Sequence, residues 1–159
     1  MGIDPGYAIV GYGLVEKVGN SVKPLQYGVI RTEAGLPIED RLLEIYNDLT
    51  KLIEAFRPES VAIEKLYFNT NEKTAINVSQ ARGVIILACA KAGVPIYEYT
   101  PLQVKMSVVG YGRADKKQVQ EMTRSILNLS SIPKPDDAAD ALAIAVCHAH
   151  TAGSILPRG

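Results

Sequence analysis

The sequence predicts an α/β fold, a mixed five-stranded sheet flanked by helices, from two observations. Residues 2–4, 8–15 (AIVGYGLV) and 23–32 (KPLQYGVIRT) are rich in β-branched and aromatic residues, with Gly19-Asn20 as a turn, which predicts an antiparallel meander. From residue 38 onward the apolar period becomes helical and then alternates between helical and short apolar runs. Strands that alternate with helices imply parallel crossovers. One sheet with an antiparallel side and a parallel side satisfies both patterns.

Each element has a local reason. Gly2 to Asp4 is a short buried strand ended by Pro5-Gly6. Ile38, Leu42, Ile45, Leu49, Ile53 and Phe56 recur at helical spacing until Arg57-Pro58 stops them. Ser60 to Glu64 (SVAIE) is a buried strand ending in a carboxylate, followed by a polar loop over 65–73. Thr74 to Ala92 reads as a long helix stopped by Gly93. Val94 to Tyr99 is the last strand, and Thr100-Pro101 opens a short helix with threonine as cap and proline at the first position. A glycine loop over 110–114 leads to a helix from about Asp115 to Leu127. Pro133 and Pro135 bracket a turn before the final helix, Asp136 to Ala149, and residues 150–159 read as a frayed, flexible tail.

The chain of 159 residues, 47% hydrophobic and 21% charged, reads as one globular domain over 1–159. Its longest apolar run, 83–90, is far too short to span a bilayer, and no secretory pattern opens the sequence. Cys89 and Cys147 lie inside apolar helical patterns and read as buried free thiols of a cytoplasmic protein. Seventeen basic residues balance seventeen acidic ones, which weighs against nucleic-acid binding. Setting four acids aside as metal ligands leaves 17 bases against 13 acids, so net charge does not decide.

Three apolar stretches deliver carboxylates alike. Asp4 and Glu64 end strands, and Asp137 with Asp140 opens the last helix, three apart and therefore on one face. Parallel neighbours present their carboxyl ends at one sheet edge, where sites form. Four carboxylates gathered there repel one another unless cations are present, and an oxygen-only set suits Mg²⁺ or Mn²⁺. Singly, each acid has an ordinary reading: turn chemistry for Asp4, a strand-end salt bridge for Glu64, a cap for Asp136, and the helix dipole for Asp137 and Asp140.

GIDPG (2–6), AIEKLYF (62–68), SQARGV (79–84), QVKMSVVGYGRADKKQVQ (103–120) and DDAADALAIA (136–145) together resemble the RuvC family of Holliday-junction resolvases, in order and spacing, over nearly the whole chain. The resemblance implies an RNase H-like fold. It implies a metal-dependent endonuclease that resolves four-way DNA junctions by paired symmetric nicks, acting in recombination and repair. Asp4, Glu64, Asp137 and Asp140 match the family's catalytic and metal-binding acids, with Asp136 the neighbouring alternative to Asp137. Two Mg²⁺ ions per site are implied, with Mn²⁺ able to substitute. Implied partners are four-way junction DNA, a second copy of the chain, and the RuvAB branch-migration complex.

Among DNA-facing positions, Tyr67 and Phe68 follow Glu64 closely, and an aromatic beside an active site stacks on unpaired bases. One of the pair is expected outside and one inside, with Tyr67 outside. Lys105, Arg113, Lys116 and Lys117 cluster around the glycine loop, with Arg82 on another helix, and such groups hold phosphates. By resemblance, Lys105 and Lys116 match backbone-contacting lysines. The helix 74–92 offers Ile76, Val84, Ile85 and Leu87 as a dimer surface. His148 and His150 read as surface or helix-end residues. Only Met1 precedes GIDPG where the family has several apolar residues, so the first strand is expected to be trimmed or the numbering to begin late. The rival functions are an RNase H-like ribonuclease acting on RNA or RNA–DNA hybrid, and a non-catalytic actin-like module.

Overall fold

The computed structural model describes residues 1–66 and 72–152. Five strands, β1 (Gly2–Asp4), β2 (Ile9–Val18), β3 (Ser21–Arg31), β4 (Val61–Glu64) and β5 (Ile96–Tyr99), form one sheet in the order β3-β2-β1-β4-β5. β1, β2 and β3 pair antiparallel, while β1, β4 and β5 are parallel. This is the expected mixed sheet. The strands of the hairpin run a few residues longer than the sequence pattern suggests, because Gly19 at φ 60° closes a tight turn and lets Val18 pair with Ser21.

Helices cover both faces. α1 (Ile38–Phe56) and α2 (Glu72–Lys91) pack on one face, where Ile3, Ile45, Leu49, Ile63 and Ile85 form a fully buried core. Each such aliphatic side chain contributes about 2 kcal/mol by leaving water. Ile85 belongs wholly to this core and so is withdrawn from any dimer surface, while Val84 packs against the core and stays partly exposed. Ile76 and Leu87 remain more than half exposed. α3 (Pro101–Val109), α4 (Lys116–Ile126) and α5 (Asp136–Ala152) cover the other face, burying Ala62, Tyr99, Val104, Leu142, Ile144 and Val146. Thr100 and Asp115 each close a reciprocal capping box, with Gln103 and Gln118, which fixes the first turns of α3 and α4.

α5 is buried from Ala138 to Ala149 except at the partly exposed Asp140, because the sheet lies on one side of it and α3 and α4 on the other. It runs to Ala152, so the first three residues read as tail are helical. The last seven residues lie outside the described ones. His148 is a further correction: it is buried at 8% exposure, with Nε2 2.7 Å from Ser60 Oγ and Nδ1 2.8 Å from Tyr99 Oη. Burial lowers its pKa to about 4, so the ring is neutral. His150, by contrast, is exposed. Cys89 and Cys147 are buried free thiols.

Two glycines set how near α5 lies to the sheet. A Cβ on Gly2 would stand 2.2 Å from the Ala141 carbonyl oxygen, and one on Gly11 would stand 2.0 Å from the Asp137 carbonyl oxygen. Neither backbone can yield without moving the helix. Gly11→Ala is therefore expected to destabilise the fold by about 3 kcal/mol, the upper end of overpacking, read as a lowered urea midpoint. A midpoint within 0.5 kcal/mol of the parent, about the scatter of an ordinary surface change, would show that the contact is not tight.

Candidate active site

Pairing puts Gly2 beside Ala62 and Ile3 beside Ile63 in parallel register, so Asp4 and Glu64 end neighbouring strands at one edge. Alternation then selects the face. Ile3 and Ile63 point to the α1–α2 core, so Asp4 and Glu64 point to the α5 side. Asp4 also pairs with Gly11 of β2, the glycine on which the Asp137 backbone rests. The first turn of α5 is thereby seated directly over the strand-end carboxylates.

Asp4, Glu64 and Asp140 line one cavity of about 200 Å³, together with Lys105 and Lys116. Asp137 does not line it, yet its charge still acts on Asp4. Burial pushes the Asp4 carboxyl up to about 8, reinforced by the charges of Asp140, Glu64 and Asp137 and opposed by Lys116. Glu64 is raised for the same reasons, burial first and Asp140 next, with Lys116 and Lys105 opposing. Asp136 is not among the charges that raise Asp4. Its carboxylate turns outward to Lys134 at 2.7 Å and to Lys116 at 3.7 Å.

Lys116 is the main surprise of the site. Its ammonium lies 2.9 Å from Asp140 Oδ2, and its pKa is raised chiefly by that hydrogen bond. The sequence places it among phosphate-contacting lysines, and nothing in the sequence signals an ion pair with Asp140, because the partners are 24 residues apart on different helices. Lys105 lines the cavity opposite. Arg113 and Lys117 are exposed on the glycine loop and the first turn of α4. Arg82 is not brought to this site. Its guanidinium pairs with Glu98, which alternates with Tyr97 and Tyr99 and so faces the opposite side of the sheet. Tyr67 and Phe68 lie outside the described residues.

Among the described residues, no three acidic, histidine or cysteine side chains converge closely enough to clasp an ion in this arrangement. The donor chemistry nevertheless fits a hard divalent cation, because the cavity offers carboxylate oxygens under like-charge stress. Asp4, Glu64 and Asp140 are the residues that could hold it, with Asp137 at the rim.

The Asp4 shift fixes a dependence on pH. The unfolded carboxyl titrates near 3.8 and the folded one near 8, so over that window the folded state retains a proton that the unfolded state releases. The stability this gives is complete below about pH 4 and is lost as pH rises through 8. In buffer with chelator, Asp4→Asn is expected to exceed the parent in urea midpoint at pH 8.5, the gap closing towards pH 4. A gap that does not change with pH would rule out a carboxyl raised by burial and by its acidic neighbours.

The match to known proteins follows this geometry. The family model described as crossover junction endodeoxyribonuclease RuvC matches residues 1–148. A protein of that name from Ruminiclostridium cellulolyticum is 59% identical, the match covering 98% of this chain and 95% of that one. Another, from Desulfitobacterium hafniense, is 58% identical over 95% of this chain and 92% of its own. Thermus thermophilus RuvC, solved with a Holliday junction substrate, superposes with a TM-score of 0.90 at 39% identity, covering 95% of this chain and 92% of that one. The yeast mitochondrial Holliday junction resolvase shares the fold alone, with a TM-score of 0.68 at 14% identity. With the family model matching residues 1–148 and relatives of 58–59% identity matching over nearly the whole length, the chain belongs to the RuvC family of crossover junction endodeoxyribonucleases.

Proposed function

We propose that the protein resolves four-way DNA junctions as a metal-dependent endonuclease, cutting two strands symmetrically to leave ligatable nicks. The observation that carries this reading is the convergence of Asp4, Glu64 and Asp140 on one cavity, in a fold shared with a RuvC solved on its junction substrate. Mg²⁺ is the expected cation, with Mn²⁺ substituting, and when bound it supplies Lewis-acid activation of water and neutralisation of phosphate charge. Asp4, at the bottom of the cluster, is the expected shared ligand. Glu64 and Asp140 flank it, and Asp137 completes the set in preference to Asp136, since its charge reaches Asp4.

The rest of the site orients DNA. Lys105 on the cavity wall, with Arg113 and Lys117 outside it, offers cations to the phosphates flanking the cut, which hold the backbone without reading sequence. Tyr67 is proposed to stack on an unpaired base at the junction centre, with Phe68 turned inward. Arg82, committed to Glu98, is the weakest of the proposed DNA contacts. Cooperation with the RuvAB branch-migration complex, and action in the bacterial cytoplasm, rest on family membership. Among the described residues, no helix is long and apolar enough to cross a membrane.

Paired nicks require two sites, and α2 offers the surface for a second copy. Ile76, Gln80, Gly83 and Leu87 are exposed at spacings of four, three and four, the seam spacing of packed helices. No neighbour comes within 4 Å of a Cβ built on Gly83. A mid-helix glycine costs about 1 kcal/mol relative to alanine, which close approach of a partner helix would offset.

The proposal is tested on a mobile four-way junction, with linear duplex and RNA–DNA hybrid alongside. Paired ligatable cuts are expected on the junction with Mg²⁺ and none with chelator. Asp4→Asn and Asp140→Asn are expected to lower the rate at least about 10³-fold, or about 4 kcal/mol, while junction binding persists. Cleavage of the hybrid in preference to the junction would move the chain to the ribonuclease reading. Leu87→Glu is expected to weaken self-association at least tenfold in sedimentation and to turn paired cuts into single nicks. An unchanged dimer would place the interface elsewhere.

A further inference from the structure

Lys116 occupies an unfavourable place for an ordinary surface lysine. It opens α4, where the helix macrodipole disfavours cations. A lysine serving only to solvate that face would gain nothing from the position. Its ammonium instead turns into the cavity, 2.9 Å from Asp140, on the wall shared with Asp4 and Glu64. The backbone holds it there: the Asp115–Gln118 capping box, with both bonds at 2.8 Å, fixes the first turn of α4, and buried Val119 and Thr123 anchor the helix beneath. Asp136, the other carboxylate within reach, has its own partner in Lys134 at 2.7 Å. Departure of the Lys116 ammonium would therefore take from Asp140 its ion pair, while Asp136 would keep its own. Lys105 lines the same cavity but makes no ion pair among the described residues.

We propose that Lys116 is the resident counter-ion of the metal-free carboxylate cluster, and that a divalent cation gains Asp140 by displacing its ammonium. This rests on the reading of the cluster as a metal centre. Lysine and cation compete for one carboxylate, so metal affinity is set partly by a side chain that is not a ligand. A single ammonium cannot neutralise the cluster, which explains why the carboxylates remain under stress with Lys116 in place. An ammonium brings one positive charge to the cluster and a divalent cation would bring two, so the exchange favours the more highly charged ion. The lysine leaves Asp140 only when a divalent cation takes its position.

The test is calorimetric titration of Mg²⁺ into the metal-free full chain, without DNA, for the wild type, Lys116→Met, Lys116→Arg, Lys105→Met and Asp4→Asn. Lys116→Met is expected to bind Mg²⁺ about fivefold more tightly, the worth of one partly exposed ion pair. Lys105→Met is expected to change affinity less than twofold, and Lys116→Arg to restore the wild-type value. Thermal melts add a second readout. Lys116→Met should melt lower than wild type in chelator, and that deficit should vanish in saturating Mg²⁺, whereas a merely structural lysine would carry the deficit unchanged. Equal tightening in Lys105→Met and Lys116→Met would mean through-space charge and not displacement, and would overturn the proposal. So would an unchanged affinity in Lys116→Met. If wild type and Asp4→Asn bind Mg²⁺ alike, the metal centre itself is wrong, a failure separate from that of the lysine.

Discussion

The site depends on how closely α5 lies against β1 and β2. Aspartate is a short side chain, so carboxylates from a helix and from a strand end meet only if the two backbones nearly touch. Gly2 and Gly11 on the sheet and the alanines of α5 remove every side chain that would hold them apart. Such contact does little by area alone, because alanine buries little apolar surface. Leu142, Ile144 and Val146, all buried, supply the apolar hold on the same helix. Small residues thus set the distance and large ones the adhesion, and the acids at the first turn of α5 inherit their position from both.

That position is costly. A carboxyl carried from water into a cavity beside three others is disfavoured by desolvation and by repulsion, and Asp4 bears most of the burden. A sequence selected only for stability would place an amide or an apolar residue there. Retaining the acid is the familiar exchange of stability for activity, and strongly shifted groups in a cleft are where chemistry is found. Lys116 reduces the stress without abolishing it. Glu64, less buried and nearer to Lys105, is perturbed in the same direction.

The sheet and its helices were legible because each signal is local. The hairpin turn, the 3.6-residue period of α1, the threonine cap of α3 and the glycine stop at Gly93 all act within a few residues. The strand-end acids were legible because a short apolar run ending in a carboxylate, repeated in two parallel strands, leaves little choice about where those carboxylates go. What was missed depends on contacts between distant segments. His148 gives no sign of burial in sequence, because Ser60 and Tyr99, which satisfy it, lie 88 and 49 residues away. Arg82 looked like a free cation because Glu98 reaches it only across the α2–β5 packing. Ile85 looked like part of a dimer surface because an apolar helix residue reads alike whether it faces its own sheet or another molecule.

Net charge decided nothing for a related reason. A chain with seventeen bases and seventeen acids has no overall attraction for a polyanion, but a polyanion meets a surface and not a sum. Here acids converge on a cavity, and lysines and an arginine stand on its wall and outside it. Without a cation, those acids repel phosphate and hold one of the lysines for themselves. A divalent cation held among them would offset that charge and leave the lysines and the arginine to meet phosphate. Binding of cation and binding of DNA must then favour each other, since linkage is reciprocal. A neutral composition is therefore no bar to a nuclease, because local charge and not the sum decides what the surface meets.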